Sequence, residues 1–186
     1  MIVSSTDKMV FVAHYGRDTD RFRTMYEVAK ENDRKIVIFP RTAYLLSKLI
    51  EDERLDLPDP LRDNDILVYY KRKKSGTFAE QDYYLWERPF MERMVTAEYV
   101  HENQGRLIMD LDFYQFGELI DIKPEPGSHF IHSMSEPFSE EDIEDQVIRG
   151  IETLNRAGIP PRELLFYVLV AFNTSFEQDL HRVEVL

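Results

Sequence analysis

Apolar residues along the chain follow two alternating patterns. Short runs of consecutive apolar and β-branched residues recur, which is typical of strands covered on both faces of a sheet. Between these runs apolar residues repeat at steps of three and four, as Phe22, Met25 and Ala29 do, which is typical of amphipathic helices. The consecutive runs predict five strands: Met9–Ala13, Ile36–Phe39, Ile66–Tyr70, Arg106–Met109 and His129–His132.

Helices are predicted in the segments between these strands. Asp18 offers an N-cap oxygen to the first helix, and Asn32 with Asp33 ends it. Pro89 must kink or divide a long helix predicted over residues 79 to 101, because proline lacks an amide hydrogen. Further helices are predicted over residues 41 to 54 and 139 to 157, and a short helix or turn over residues 113 to 120.

The alternation of strand and helix predicts an α/β protein. Consecutive β–α units favour parallel pairing through right-handed crossovers. We therefore expect residues 1–159 to form a three-layer sandwich around a mostly parallel sheet of about five strands. Residues 160–186 are a C-terminal extension, and their pattern fits either two strands or a helix and a strand.

The segments that follow the strands are the first candidates for a functional site. In sheets of this kind, ligands bind beyond the carboxyl ends of the strands. Five segments should therefore gather at one edge: Ala13–Asp20, Pro40–Thr42, Tyr70–Gly76, Asp110–Gln115 and Ser133–Glu136.

Composition removes several classes of function. The 186 residues include 23 Lys and Arg against 35 Asp and Glu, a net charge of −12, which excludes a uniformly basic nucleic-acid binder but not a local basic patch. The absence of cysteine excludes disulfides, thiolate zinc sites and cysteine nucleophiles. A chain without cysteine fits a reducing compartment. No targeting or membrane-spanning segment is evident, so we expect a cytoplasmic protein.

The turn after the fifth strand carries Ser133, Ser135 and Glu136 just before a predicted helix. Hydroxyl groups and unpaired backbone amides at such a position can bind a phosphate group at the helix N-terminus. The spacing alone favours simple capping, in which the serines accept hydrogen bonds from those amides.

The turn after the first strand is a second candidate. Gly16 permits a tight turn, and Arg17 next to Asp18 could reach an anionic group as a fork of donors. The alternative is a set of surface ion pairs, each worth under about 1 kcal/mol. The glycine pattern of dinucleotide-binding turns is absent.

One basic cluster follows the third strand. It consists of Lys71, Arg72, Lys73 and Lys74. Tyrosines lie near it in sequence, so the segment could contact a nucleic-acid backbone and stack bases. A run of this kind is more often a solvated loop. The tyrosines concerned are Tyr69, Tyr70, Tyr83 and Tyr84.

Catalytic and metal-binding motifs are not found. The five histidines form neither H-x-H-x-D-H nor H-E-x-x-H, and both G-x-S-x-G and a Walker lysine loop are missing. No catalytic residue and no metal ligand is therefore predicted within the chain.

Four stretches nevertheless resemble one known family in order and spacing. They begin with the strand, turn and helix around Arg17 and Asp18 and end with the serine-rich turn. Together they resemble the β-CASP domain of metallo-β-lactamase-fold RNA nucleases, the group of ribonuclease J and the archaeal cleavage-factor-like enzymes. The four stretches are Val10–Phe22, Leu57–Ile66, Leu119–Gly127 and His132–Phe138.

The resemblance implies an RNA-clamping domain that does not cleave RNA by itself. In the family, a metallo-β-lactamase domain binds two zinc or similar divalent ions, and RNA enters between the two domains. By resemblance Arg17, Asp18, Ser133, Ser135 and Glu136 would border that cleft. The partner domain's histidine-rich motif is absent from this chain, and residues 160–186 match nothing in the family. We therefore expect a stand-alone or excised β-CASP unit that binds RNA weakly.

Two other functions remain open from the sequence. A domain separated from its host would expose an apolar face, which favours a protein-interaction module or a homo-oligomer. The second open function is a small-molecule α/β enzyme that resembles β-CASP domains only in architecture, because a fold does not determine a function. A deep pocket with converging ionisable groups would favour the enzyme.

Overall fold

The computed structural model describes residues 2–73 and 75–133 together with two later strands. Eight strands form one sheet: β1 (Val10–Ala13), β2 (Lys35–Ile38), β3 (Ile66–Tyr69), β4 (Met94–Val95), β5 (Leu107–Asp110), β6 (Ser128–His132), β7 (Leu164–Val168) and β8 (Glu184–Val185). The α-helices of the described residues are α1 (Ile2–Ser5), α2 (Thr19–Glu31), α3 (Pro40–Leu49), α4 (Ala97–Glu102) and α5 (Leu119–Ile122).

Strand order places β5 and β1 at the centre of the sheet. The order is β4-β3-β2-β5-β1-β6-β7-β8, and every neighbouring pair is parallel except β7 and β8. The connection that leaves β1 runs toward β2, whereas the connection that leaves β5 runs toward β6. These opposite directions leave a crevice at the carboxyl ends of β1 and β5, the topological switch point where α/β proteins bind ligands.

Alternate residues of β1 reach two separate hydrophobic clusters. Val10 and Val12 pack with apolar residues of α2 and α3 on one face of the sheet. Phe11 and Ala13 pack on the other face with apolar residues of α4 and α5. Because successive side chains of a strand point to opposite faces, one continuous apolar run supplies both clusters. The predicted three-layer α/β sandwich is confirmed.

Helix α2 begins and ends where the sequence predicts. The Asp18 side chain accepts a hydrogen bond from the backbone amide of Arg21, with an N···O distance of 3.0 Å, and so caps the first turn. Asn32 is the C-cap, and Asp33 follows with φ of 54°. A residue in this left-handed conformation stops the helix and turns the chain toward β2.

Arg34 joins the amino-terminal ends of the central strands. It is 4% exposed, and its Nη1 donates to the carbonyl oxygens of Lys8, at 2.9 Å, and Leu107, at 3.1 Å. Its Nη2 donates to the carbonyl of Thr6. Burial lowers the pKa of Arg34, but a guanidinium group keeps its charge in proteins. One buried cation therefore satisfies three carbonyl groups at the edge opposite the switch point.

The long helix predicted over residues 79 to 101 is wrong. That segment contains two 3₁₀ helices, Glu80–Asp82 and Arg88–Arg93, and then strand β4 and helix α4. Pro89 lies in the first turn of the second 3₁₀ helix, where its missing amide costs no hydrogen bond. Strand β4 pairs with β3, and pairing with a distant strand outweighs the helical periodicity of the local sequence.

Smaller differences concern helix ends and missed strands. Helix α3 ends at Leu49 rather than near residue 54. The short helix or turn predicted over 113–120 is a 3₁₀ helix, Phe113–Glu118, followed by α5. The five predicted strands are all present. The sequence missed β4, and β7 and β8 show that the extension contributes two strands to the same sheet. The helix predicted over 139–157 lies outside the described residues.

Candidate functional site

A cleft of about 740 Å³ lies at the switch point between β1 and β5. Its walls are the turns that follow β1, β2 and β5, so three of the five predicted strand-end segments meet in it. We call it the switch cleft. Its charged lining residues are Arg17 after β1, Arg41 and Lys48 on α3, and Asp110 and Asp112 at the end of β5.

Cations of the switch cleft lie at its exposed rim. Arg17 and Arg41 are exposed, and neither forms an ion pair with any residue in the described part of the chain. Lys48 lies 3.2 Å from the carboxylate of Glu51, and both side chains are exposed. An exposed pair of this kind is weak and exchanges readily with solvent ions. The two arginines are therefore the groups best placed to bind an anion.

A buried histidine and carboxylate form the floor of the switch cleft. His14 Nε2 lies 3.4 Å from Asp110 Oδ1, an ion-pair distance that lacks the alignment of a good hydrogen bond. Burial by itself lowers the pKa of His14. The Asp110 carboxylate and the Tyr15 carbonyl outweigh that effect, so the pKa lies above the ordinary value for histidine. Thr42 Oγ1 donates to the other oxygen of Asp110 at 3.2 Å.

Asp112 has a structural role at the side of the cleft. Its carboxylate accepts the backbone amide of Gln115, while the Gln115 side chain accepts the backbone amide of Asp112, which makes a capping box for the 3₁₀ helix Phe113–Glu118. Burial raises the pKa of Asp112, and the backbone amide of Tyr114 opposes that shift most, with Gln115 and Arg41 adding less. The Asp112 carboxylate therefore caps the 3₁₀ helix rather than serving as a ligand-binding group.

The turn after β1 and the end of β6 are joined through Arg21. Its Nη1 donates to Ser133 Oγ at 2.9 Å, and its Nε lies 2.9 Å from Asp18 Oδ2. The backbone amide of Ser133 donates to the carbonyl of Ala13 at 2.8 Å. The structure thus brings together Asp18 and Ser133, which the sequence proposed for one site, while Arg17 lines the adjacent cleft. Ser135 and Glu136 lie outside the described residues.

Two lysines of the basic cluster lie near acidic groups. Lys71 Nζ is 3.6 Å from Glu118 and Lys73 Nζ is 3.6 Å from Glu87, so part of their charge is neutralised within the chain. Arg72 is exposed on a neighbouring strand-end surface. Lys74 lies outside the described residues. The cluster is consequently a weaker anion-binding candidate than the sequence suggested.

Three of the four tyrosines that the sequence offered for base stacking are core residues. Tyr69 and Tyr70 are each 1% exposed and Tyr83 is 3% exposed, so stacking on any of them is excluded. Tyr69 and Tyr70 follow the alternation of β3, and Tyr83 packs edge-on against Tyr70 at a ring distance of 4.8 Å. Tyr84 alone of the four is accessible, with 67% exposure.

Sequence reasoning missed two accessible aromatic residues beside the switch cleft. Tyr44 and Trp86 lie 5.5 Å apart between ring centroids, and Trp86 stacks near-parallel with Tyr84 at 6.1 Å. The wrong helix prediction over residues 79 to 101 hid Trp86, because a helix would have placed Tyr84 and Trp86 on different faces. Tyr44 lies outside that segment, on α3. The available signal was the run of four large apolar residues over 83–86.

In the part of the chain that the structure describes, no group of three or more histidine, aspartate and glutamate side chains is placed to hold a metal ion. The same described ranges contain no helix with the length and apolar character needed to cross a bilayer.

No known protein-family model matches the chain, and no curated protein sequence matches it.

Proposed function

We propose that this chain is a β-CASP-like RNA-clamping domain of a metal-dependent RNA nuclease. The observation that carries the proposal is the pair of exposed arginines, Arg17 and Arg41, at the rim of the switch cleft. The four stretches that resemble β-CASP domains support it independently. Two of them, around Arg17 and Ser133, contribute to the same edge of the sheet.

RNA would lie across the carboxyl ends of the strands. The strand order puts Arg41 after β2 and Arg17 after β1, so these two exposed cations follow one another along the edge. Arg21 and Ser133, which are hydrogen-bonded to each other, continue the edge to β6. Neighbouring strands are about 4.8 Å apart, so the edge from β2 to β6 spans about 14 Å. With Arg17 and Arg41 as its exposed donors, an edge of that length can contact a few successive phosphate groups of one strand.

Net charge makes this binding weak and sensitive to salt. The chain carries −12 overall, so only local cations attract a polyanion. If two or three phosphates are neutralised, single-strand affinity should fall about 7- to 18-fold between 50 and 200 mM salt, because the logarithmic slope is about −0.7 per phosphate.

A charge-matched pair of double variants tests the site. Arg17→Ala with Arg41→Ala should weaken binding of a labelled single-stranded RNA about tenfold in fluorescence anisotropy and reduce the salt slope by about 1.4. Lys35→Ala with Arg106→Ala removes the same charge at the opposite edge of the sheet, where β2 and β5 begin. That control should change affinity less than twofold. No RNA binding by the parent chain, or an equal loss in both double variants, would contradict the proposal.

The cleavage metals belong to a metallo-β-lactamase domain in this proposal. The residues that the structure describes do not fit a metal pair, so no step of cleavage is assigned to them. The chain alone, incubated with RNA and magnesium, manganese or zinc, should release no products. Metal-dependent turnover that follows the purified chain through successive columns would show that it contains a catalytic centre.

A small-molecule α/β enzyme is the second candidate. The switch cleft has the volume of an ordinary ligand pocket, about 300 to 1,000 Å³, and His14 and Asp110 converge on its floor. Equilibrium dialysis against small phosphorylated compounds discriminates the two functions. Binding that Arg17→Ala abolishes, in a chain that does not bind RNA, would favour this candidate.

A further inference from the structure

Three aromatic side chains form an exposed surface beside the switch cleft. Tyr44 is 41% exposed, Tyr84 is 67% exposed and Trp86 is 38% exposed. Tyr44 lies on α3, whereas Tyr84 and Trp86 lie in the turn before the 3₁₀ helix Arg88–Arg93. The ring of Trp86 lies between the other two and contacts both Tyr44 and Tyr84. We call these three residues the aromatic platform.

The turn that carries the platform is held in place by its own hydrogen bonds. Glu87 Oε2 accepts the backbone amide of Tyr84 at 2.8 Å, and the Glu87 amide donates back to the Tyr84 carbonyl at 2.9 Å. Arg88 Nε donates to the carbonyl of Tyr83 at 3.1 Å. Because the turn is already ordered, presenting these rings to a ligand costs little additional conformational entropy.

The platform is continuous with the proposed phosphate site. Tyr44 lines the switch cleft, and Trp86 lines a smaller adjoining cavity of about 140 Å³. Arg41 lines both. A strand that places a phosphate near Arg41 would therefore have its adjacent bases within reach of Tyr44 and Trp86.

The charges around the platform favour an anionic, aromatic occupant. Lys73 Nζ lies 5.3 Å from the ring centroid of Tyr84, within cation–π range. Glu87 neutralises Lys73 in part, which leaves Arg41 as the main cation. Exposed aromatic rings next to cations are the combination with which proteins bind single strands without sequence preference, because every base offers a π-face.

We propose that Tyr44, Tyr84 and Trp86 stack the unpaired bases of a single-stranded RNA whose phosphates bind at Arg41 and Arg17. This inference rests on the proposed function and adds the requirement for a single strand. Bases of a duplex are stacked within the helix and cannot reach the rings. The platform should therefore bind purine-rich and pyrimidine-rich strands with similar affinity and reject a blunt duplex.

The fluorescence of Trp86 reports directly on this surface, because it is the one tryptophan of the chain. Titration of the full chain with an unlabelled 12-nucleotide oligoadenylate at low salt should quench the emission, and a blunt 12-base-pair RNA duplex should not. Tyr84→Ala leaves the fluorophore in place and should weaken single-strand binding at least about fivefold. Tyr99→Ala removes a ring of the same 38% exposure as Trp86 on α4 and should leave affinity unchanged.

The outcomes separate this inference from the proposed function. RNA binding that depends on Arg17 and Arg41, with unchanged Trp86 emission and no effect of Tyr84→Ala, overturns the platform alone. Equal quenching by single strand and duplex also overturns it. No RNA binding by the parent chain overturns both proposals. Concentration-dependent self-association that Tyr84→Ala abolishes, with no response of Trp86 to RNA, identifies a protein contact and overturns the platform.

Discussion

The hydrogen bond from Arg21 to Ser133 joins two turns that are more than 100 residues apart in the chain. Its strength can be worked out from its environment. Ser133 is 7% exposed, and the Arg21 side chain is 22% exposed and also paired with Asp18. A buried hydrogen bond to a charged group contributes about 1.5 to 3 kcal/mol, and partial access of water to the guanidinium reduces this. We expect a coupling of about 1 kcal/mol between the two side chains.

A double-mutant cycle measures that coupling. Arg21→Met, Ser133→Ala and the double variant are unfolded in urea at pH 7 and followed by Trp86 fluorescence, with circular dichroism to check that the transition is two-state. The double variant should lose about 1 kcal/mol less stability than the sum of the single variants. Arg23→Met is the matched control, because Arg23 lies on the same helix and pairs with Asp20 instead.

The control cycle of Arg23→Met with Ser133→Ala should be additive within about 0.5 kcal/mol. A coupling below about 0.3 kcal/mol in the Arg21 cycle, equal to that of the control, would refute the reasoning. In that case the turn after β1 and the end of β6 are not held together by this contact. The continuous edge proposed for RNA would then lose its link between β1 and β6.

Three further predictions concern stability. Arg34→Met leaves three carbonyl groups without their donor. In urea titration it should lower the free energy of unfolding by about 2 to 4 kcal/mol. An unchanged midpoint of the urea transition would show that water replaces the guanidinium. The folded-state pKa of His14 is raised, so its stabilisation is complete below the unfolded value of 6.5 and is lost as pH rises through the folded pKa. The stability advantage of the parent over His14→Gln should therefore shrink between pH 6 and 9, and an advantage that grows would contradict this sign. Gly105→Ala places a methyl group against the backbone oxygen of Asp7 and should destabilise the folded state by about 1 to 3 kcal/mol. Gly117→Ala is the control, because its added carbon has nothing near it and should not destabilise the fold. Equal thermal midpoints for the two variants would exclude the clash.

Local sequence signals determined the elements that depend on neighbouring residues. The central strands are continuous apolar runs because they are buried on both faces, so their existence and parallel pairing could be predicted from composition and spacing. The limits of α2 could also be predicted, because Asp18 satisfies its first amides and Asn32 ends it within the same stretch of chain. The strand-end rule then located the turns that form the switch cleft.

The features that could not be predicted from the sequence depend on contacts between segments distant in the chain. The segment 79–101 has helical periodicity, yet Met94 and Val95 within it pair with β3 as β4, and no local pattern encodes a partner about 25 residues away. In the same segment, a turn held by Glu87 and Arg88 exposes Tyr84 and Trp86, whereas Tyr83 is buried. The accessible aromatic residues could not be separated from the core ones until that turn was placed.

Composition, capping and apolar spacing determined an α/β sandwich and the edge at which a ligand should bind. Only the tertiary structure decided which charged groups remain available at that edge. Lys71 and Lys73 pair with Glu118 and Glu87 from other segments, whereas no carboxylate of the described residues lies within ion-pair distance of Arg17 or Arg41. The reason is physical: a charge is neutralised by whatever lies within a few ångströms in space, and that neighbour is set by the order of strands in the sheet rather than by the order of residues in the chain.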